Sequence, residues 1–370
     1  MGLIIATFVV YQQLMFMKNY EMGYNMSQKL IVRAPNITQD YAHQYESYKT
    51  ALQRLPVVGQ VAASHLSPGD RRGKGDGFAS TLKQPDKGTW FSVNSVDKEY
   101  LQTYEINILH GRGFSRNFPA DKEAVVITEE VTLVLGYDPV ERALQEKILL
   151  SEGQVKKEVT VIGIANDVNL YSLKLEQTGI IFLLADEFDR DQSQWPISYF
   201  TVEMESSEDV SESLKSIEEI YESHFPANPF VYFFLEDYFN AQYLAEEQFG
   251  KVFTWARGLA IFIACLGLLG LSAFMVKQRS KEIGIRKVLG SNISDIWLLL
   301  AKDLLKALLI ASVIGIPLIN YFMKSWLEEF VYKIPLSWWM FVLPVVLMIL
   351  IAILTVSQHL RKATRLLRYK

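Results

Sequence analysis

The feature that most constrains this chain is a group of long apolar segments in its last third. Residues 252–276 carry a single charge, on Arg257, and residues 307–322 carry none. A further apolar segment covers residues 337–357. A helix needs roughly 20 apolar residues to cross the hydrocarbon layer of a bilayer. The sequence therefore predicts three membrane-spanning helices, at residues 251–276, 297–323 and 337–357.

The amino-terminal segment is apolar but shorter. Residues 2–17 are apolar apart from Thr7, Gln12 and Gln13, and a helix of this length reaches only about 24 Å. It has neither a basic leader nor an Ala-x-Ala-like site after it, so a cleaved signal peptide fits poorly. We interpret residues 1–17 as a first, short span whose beginning is missing from the sequence. The alternative is a signal-like segment.

The distribution of charge gives the spans one orientation. The segment 277–296 and the tail 358–370 are basic, and basic segments beside membrane spans lie in the cytoplasm. The neutral loop 324–336 and the acidic segment 18–250 then lie outside. The whole-chain net charge of −4 conceals this division. An acidic domain joined to a basic membrane part does not resemble a nucleic-acid-binding protein.

The outer segment alternates the patterns of strands and helices. β-Branched runs predict strands at 30–34, 124–128, 159–165 and 199–203, and polar-apolar periodicity predicts helices at 39–54, 129–135 and 208–224. These elements predict a large α+β domain between spans 1 and 2 of an α-helical membrane protein with four spans. A helix at 235–250 is predicted to run on into the second span as a rigid stalk. Cys265 is the only cysteine, so no disulfide forms within the chain.

No pattern typical of catalysis or cofactor binding occurs. The five histidines do not form a metal-binding spacing, and the glycine-rich segment 69–77 lacks the G-x-x-x-x-G-K-[ST] pattern of a phosphate-binding loop. The sequence therefore predicts no catalytic residues, no metal site, no cofactor and no nucleotide site on this chain.

Small residues recur along one stripe of the second span. They follow steps of four and three residues, a spacing that lets a neighbouring helix approach closely. A chance distribution of small residues in an apolar helix is the alternative. The predicted helix-packing residues are Ala260, Ala264, Gly267, Gly270 and Ala273.

The basic segment between spans 2 and 3 has the pattern of a short amphipathic helix. Glu282 and Arg286 form an i,i+4 pair in the favourable order. Gly290 is a natural residue to end the helix, and Asn292 can begin the next one. Physics alone leaves two interpretations equally open. One is a surface helix held by membrane lipid, and the other is a contact for a cytoplasmic motor protein.

A family resemblance bears on that choice. QRSKEIGIRKVLGSNISDI, at residues 278–296, resembles the signature loop of FtsX-like permeases, the macrolide-exporter type of ABC transporter permease. The order of parts is also similar, and so are VVYQQLMFMKNYEMGYN (9–25), ITEEVTLVLGYDPV (127–140), VIGIANDVNLYSL (161–173) and WLLLAKDLLKALLIA (297–311). The similarity is greatest to the Bacteroidetes members, where such a unit is often the second half of an eight-span permease. The usual Asn-Pro after the last span is missing here.

The resemblance implies a function and partners. It implies a permease subunit in the bacterial inner membrane, with its large domain in the periplasm. A cytoplasmic ATP-binding subunit would drive export or release of a peptide, lipoprotein or amphiphile, beside a second permease copy or half. The implied ATPase-coupling residues are Lys281, Glu282, Ile283, Gly284, Ile285, Arg286, Lys287, Leu289 and Gly290. The alternatives are an ATP-coupled regulator of an envelope enzyme and a membrane-anchored binding protein that uses no ATP.

Overall fold

The computed structural model describes most of the chain. The described residues are 2–36, 41–69, 77–152, 155–171, 173, 178–185, 195–205, 210–242, 244–278, 282, 285 and 293–366. They form two compact units. A helical unit combines Met1–Asn19 with Tyr243–Lys370, and an outer unit comprises Tyr20–Gln242.

The elements are numbered in chain order. The helices are α1 (Gly2–Lys18), α2 (Tyr41–Leu52), α3 (Tyr100–Thr103), α4 (Glu129–Val134), α5 (Val210–His224), α6 (Leu235–Ala241), α7 (Leu244–Gln278), α8 (Ile293–Leu327) and α9 (Trp339–Leu366). The strands are β1 (Lys29–Arg33), β2 (Val58–Ser64), β3 (Gly77–Thr81), β4 (Thr89–Val96), β5 (Ile108–Gly111), β6 (Ala124–Thr128), β7 (Lys147–Glu152), β8 (Val155–Ala165), β9 (Ile180–Leu184), β10 (Tyr199–Met204) and β11 (Tyr232–Phe234).

The helical unit corrects the predicted number of spans. Among the described residues, two helical stretches are long and apolar enough to cross a membrane, Gly250–Leu271 in α7 and Leu305–Leu327 in α8. The apolar stretches of α1 and of α9, at Trp339–Ile351, are shorter. At 1.5 Å per residue the 17 residues of α1 cover about 26 Å, less than the ~30 Å hydrocarbon layer. The structure therefore supports two full-length spans rather than four.

The core of the helical unit forms around α1. Ile5, Ala6 and Val9 are buried in one cluster with Met323 and Leu327 of α8 and with residues at the start of α9. The Phe8 ring meets Trp339 edge-on, with 5.4 Å between the ring centroids. The short first helix is thus held by α8 and α9 of its own chain.

The predicted stalk at 235–250 falls on α6 and on the beginning of α7. α6 ends at Ala241, Gln242 lies in a turn, and α7 begins at Leu244. The Gln242 side chain donates a hydrogen bond to the Gly69 carbonyl, at 2.9 Å, which helps to hold this turn. Residue 243 lies outside the described residues, so a continuous stalk at 235–250 stays a prediction, whereas α7 itself is continuous as far as Gln278.

The first part of the outer unit is a four-stranded sheet. The strand order is β11-β1-β10-β2, and all its pairings are antiparallel. α2 connects β1 to β2, and α5 connects β10 to β11. This order and connectivity are those of a ferredoxin-like fold. The two helices cover one face, because Tyr45, Tyr48, Ile217 and Tyr221 share a buried cluster with Phe200 of the sheet.

A second group of strands is inserted between β2 and β10. Neighbouring strands pair in the order β4-β3-β7-β8-β6-β9, and β9 returns to β4 through a parallel pairing. We call this closed path of six paired strands the six-strand ring. Its members share one buried cluster, which includes Phe91, Val125, Ile148, Val161 and Ile181. The predicted α+β class of the outer domain is confirmed, and the domain has two parts.

Candidate functional site in a groove between α1 and α7

A glycine sets the distance between α1 and α7. A Cβ atom built on Gly250 would lie 3.3 Å from Leu14 Cδ1 and 3.9 Å from Val10 Cγ1. A larger side chain at this position would push the helices apart. The contact places the end of α1 beside the beginning of α7, so the two helices run antiparallel.

Beside this contact the two helices enclose a groove of about 640 Å³. That volume lies within the range of cavities that bind small molecules in proteins. The wall from α1 consists of Thr7, Phe8, Tyr11, Leu14, Met15 and Lys18. The wall from α7 consists of Gly250, Lys251, Thr254 and Trp255.

The groove is apolar along its length and basic at one end. The Thr7 hydroxyl donates to the Leu3 carbonyl at 2.7 Å, and the Thr254 hydroxyl donates to the Gly250 carbonyl at 2.8 Å. Both hydroxyl hydrogens are therefore used within their own helices. Lys18 and Lys251 bring two ammonium groups to the end where α1 stops and α7 starts. The groove suits a molecule with an apolar chain and an anionic head.

Few of the predicted ATPase-coupling residues can be placed. Glu282 and Ile285 are helical and exposed. The other predicted coupling positions, at 281, 283, 284, 286, 287, 289 and 290, lie outside the described residues. The amphipathic helix and its role in coupling stay predictions.

The predicted packing stripe lies on α7 but does not join the groove. Gly267, Gly270 and Ala273 are exposed, Ala260 is half-buried, and the side chain of Ala264 lies outside the described part of the chain. A Cβ atom built on Gly267 or Gly270 would meet no described atom within 4 Å beyond its own helix. None of the described helices of this chain covers these two glycines. That the stripe contacts another helix stays a prediction.

Sequence reasoning missed a buried ionic cluster in the outer unit. Lys49 Nζ of α2 lies 2.9 Å from Asp97 Oδ2 and 2.6 Å from Glu99 Oε2. The Tyr45 hydroxyl donates to the same Asp97 oxygen at 2.7 Å, and Arg116 contacts the other Glu99 oxygen at 3.1 Å. Asp97 directly follows β4, so the cluster ties a helix of the four-stranded sheet to the six-strand ring. The partners are about fifty residues apart, and no local pattern reveals them.

The environment shifts the two carboxyl groups in opposite directions. Burial raises the pKa of Asp97, and Glu99 raises it too, although Lys49 and the Tyr45 hydroxyl counteract both. Burial also acts to raise the pKa of Glu99. There the hydrogen bond and charge of Lys49, with the charge of Arg116, prevail and hold the pKa below its ordinary value. The cluster is structural in form, because Lys49, Asp97 Oδ2 and Glu99 contact one another, although Asp97 Oδ1 is buried without a hydrogen-bond partner among the described residues.

Comparison with known proteins identifies the parts. Residues 1–220 match the family model of the MacB-like periplasmic core domain, and residues 257–366 match that of the FtsX-like permease C-terminal region. No curated protein matches the chain.

Two solved structures are similar to the outer unit. The periplasmic region of MacB from Actinobacillus actinomycetemcomitans is 13% identical with a TM-score of 0.42, covering 59% of this chain and 94% of that one. The extracellular domain of the noncanonic ABC-type transporter YknZ from Gram-positive bacteria is 16% identical with a TM-score of 0.38, covering 55% and 97%.

The two family models together describe a membrane-embedded permease with a periplasmic domain. The two family matches together cover most of the chain. This protein belongs to the family of MacB-like and FtsX-like permeases of ABC transporters.

Proposed function

We propose that this permease exports or releases an amphiphile, such as a lipoprotein or an acylated peptide, and that the amphiphile enters through the groove between α1 and α7. A separate ATP-binding subunit in the cytoplasm supplies the energy. The permease lies in the bacterial inner membrane and works beside a second permease copy or half.

The groove is the observation that supports an amphiphile as substrate. Its walls expose Tyr11 and Trp255, the latter 82% exposed. Tryptophan and tyrosine favour the interface between the hydrocarbon layer and the headgroups. An acyl chain placed along these walls would meet mostly apolar side chains, while Lys18 and Lys251 meet its anionic head. A polar solute would gain little from such walls.

Filling the groove tests this proposal. Thr254→Trp places a large ring between the walls, and we expect the purified chain in mild detergent to retain fewer lipid or lipoprotein molecules, as counted by native mass spectrometry. Val313→Trp is the matched control, because Val313 of α8 is 73% exposed and lies outside the groove. Equal retention in the wild type and both variants would argue against an amphiphile in this groove.

A further inference from the structure

A second cavity lies at the junction of α8 with the loop that leads to α9. Its volume is about 450 Å³. Asn320, Lys324 and Glu328 line it from α8 and the turn that follows, and Lys333 lines it from the loop. It shares no residue with the groove between α1 and α7. The two cavities are therefore separate.

A buried glutamine holds the loop in place. Gln13 of α1 is 0% exposed. Its side-chain amide donates to the Tyr332 carbonyl at 2.9 Å, and its oxygen accepts from the Ile334 amide, also at 2.9 Å. A buried polar side chain is costly unless its hydrogen bonds are satisfied. Here both ends of the amide are used on the two residues that flank Lys333, so the backbone at Lys333 is fixed before any ligand arrives.

The cavity has the charge that a phosphodiester requires. Two ammonium groups, on Lys324 and Lys333, face one carboxylate, on Glu328, which leaves an excess of one positive charge. Both lysines are exposed, and neither has an ion-pair partner within the described part of the chain. A single anionic phosphate group would neutralise this excess positive charge.

The surroundings favour a lipid as the source of that phosphate. Leu327, Pro335 and Leu336 form an apolar side of the cavity. Directly before it along α8, Leu318 and Phe322 are more than half exposed, on a stretch long and apolar enough to cross a membrane. Trp338 and Trp339 are exposed at the same end, as is typical of residues at the headgroup level. Acyl chains could lie along α8 while the headgroup occupies the cavity.

We propose that Lys324 and Lys333 bind the phosphodiester headgroup of an anionic phospholipid at the end of α8, on a loop that Gln13 holds in position. This site goes beyond the transported amphiphile. It is a fixed lipid contact, which would set the depth of α8 and the short α1 in the bilayer.

The test titrates the full chain in detergent with phosphatidylglycerol and measures bound lipid by native mass spectrometry. Lys324→Ala with Lys333→Ala should weaken binding roughly thirtyfold, since each lysine near a membrane surface contributes a few-fold to tenfold. Lys83→Ala with Lys87→Ala, on the exposed surface of the outer unit, removes the same charge and should leave binding unchanged. Equal affinity in both double variants would overturn the proposal.

A second pair of variants tests the role of the loop without changing charge. Gln13→Leu removes both hydrogen bonds to the loop and should weaken phosphatidylglycerol binding, whereas Gln12→Leu makes the same chemical change one position away and should not.

Inorganic phosphate is the last probe. Binding that survives millimolar phosphate supports a lipid site, and displacement of the lipid by phosphate alone would show a site for a soluble anion and overturn the assignment. Because phosphatidylglycerol could also enter the groove between α1 and α7, each variant is compared in the Thr254→Trp background, which makes the result independent of the proposed transport route.

Discussion

The ammonium group of Lys49 neutralises the negative charges of two carboxylates in the outer unit. Its ammonium group is 3% exposed and lies within 3 Å of both Asp97 and Glu99. Replacing one member of a buried charge pair is far more damaging than replacing the whole pair, because the remaining charge has no compensation. Lys49→Met should therefore destabilise the outer unit by about 3 kcal/mol at neutral pH.

The pH dependence of the destabilisation by Lys49→Met shows whether it comes from the lost charge or from lost packing. Without Lys49, burial raises the pKa of both carboxyl groups in the folded state above the unfolded values. The folded variant then takes up protons more readily, so its stability increases as the pH falls from 7 towards 4. In the wild type the pKa of Glu99 is below its ordinary value, so its contribution to stability is lost only as the pH falls through that lowered pKa, whereas the pKa of Asp97 is raised as in the variant. We expect the difference in unfolding midpoint to shrink on acidification, with Lys49→Arg as the charge-preserving control. A difference independent of pH would indicate lost packing alone.

At the scale of elements, the segment that leaves α1 is fastened to the six-strand ring. The Asn166 side chain, at the end of β8, donates to the Gly23 carbonyl at 3.0 Å, and the Asn169 amide donates to the Met22 carbonyl at 2.8 Å. On the other side, α6 follows β11 of the four-stranded sheet and precedes α7. The segment that leaves α1 continues into β1 of the same four-stranded sheet, and the Ser27 hydroxyl donates to Glu236 of α6 at 2.9 Å.

Two glycines allow this fastening to be tested with a matched pair. Gly23 and Gly136 both have a positive φ, 80° and 85°, so alanine is strained at each. A Cβ atom on Gly23 would lie 2.1 Å from the Asp167 carbonyl oxygen, whereas one on Gly136 would meet no described atom within 4 Å. Gly136→Ala should cost about 1–2 kcal/mol. Gly23→Ala should cost more and should speed hydrogen exchange at residues 20–25. Similar unfolding midpoints and exchange in the two variants would contradict the fastening.

The elements that the sequence predicted are those whose pattern is local. Residues 124–128 are an uninterrupted β-branched run, and β6 has these bounds. β4 was missed because its polar residues are buried. The Asn94 side chain accepts from the Leu66 amide, and Ser92 meets the Tyr171 hydroxyl. These partners are distant in the sequence, so the strand has no apolar alternation to detect.

The candidate site was predictable only in part for the same reason. The apolar character of α1 and α7 is visible in their sequences, and it predicted membrane helices. The groove depends on Gly250 lying against Leu14, a contact between residues more than two hundred positions apart. The structural role of Gln13 was equally hidden. In the sequence it is one polar residue in a short apolar segment, and only its two hydrogen bonds to the loop before α9 explain its presence.

At the scale of the whole molecule, the family assignment implies an ATP-binding subunit as partner. We propose that ATP-driven motion reaches this chain through a cytoplasmic contact. Residues 281–290, between α7 and α8, are the proposed contact. Helix α7 reaches this segment without a break from Leu244.

Charge reversal at the proposed contact is the decisive test of this assignment. A chain tagged for purification and extracted in mild detergent should carry an ATP-binding protein, with ATPase activity in the eluate. Arg286→Glu places a carboxylate where the partner is expected to present an acidic or polar surface. It should reduce both the bound protein and the ATPase activity at least tenfold, since a like-charge contact in an interface costs several kcal/mol. Arg365→Glu reverses the same charge in the basic tail and should leave both unchanged. Stable membrane insertion with no ATPase in the wild-type eluate would instead indicate a binding protein that uses no ATP.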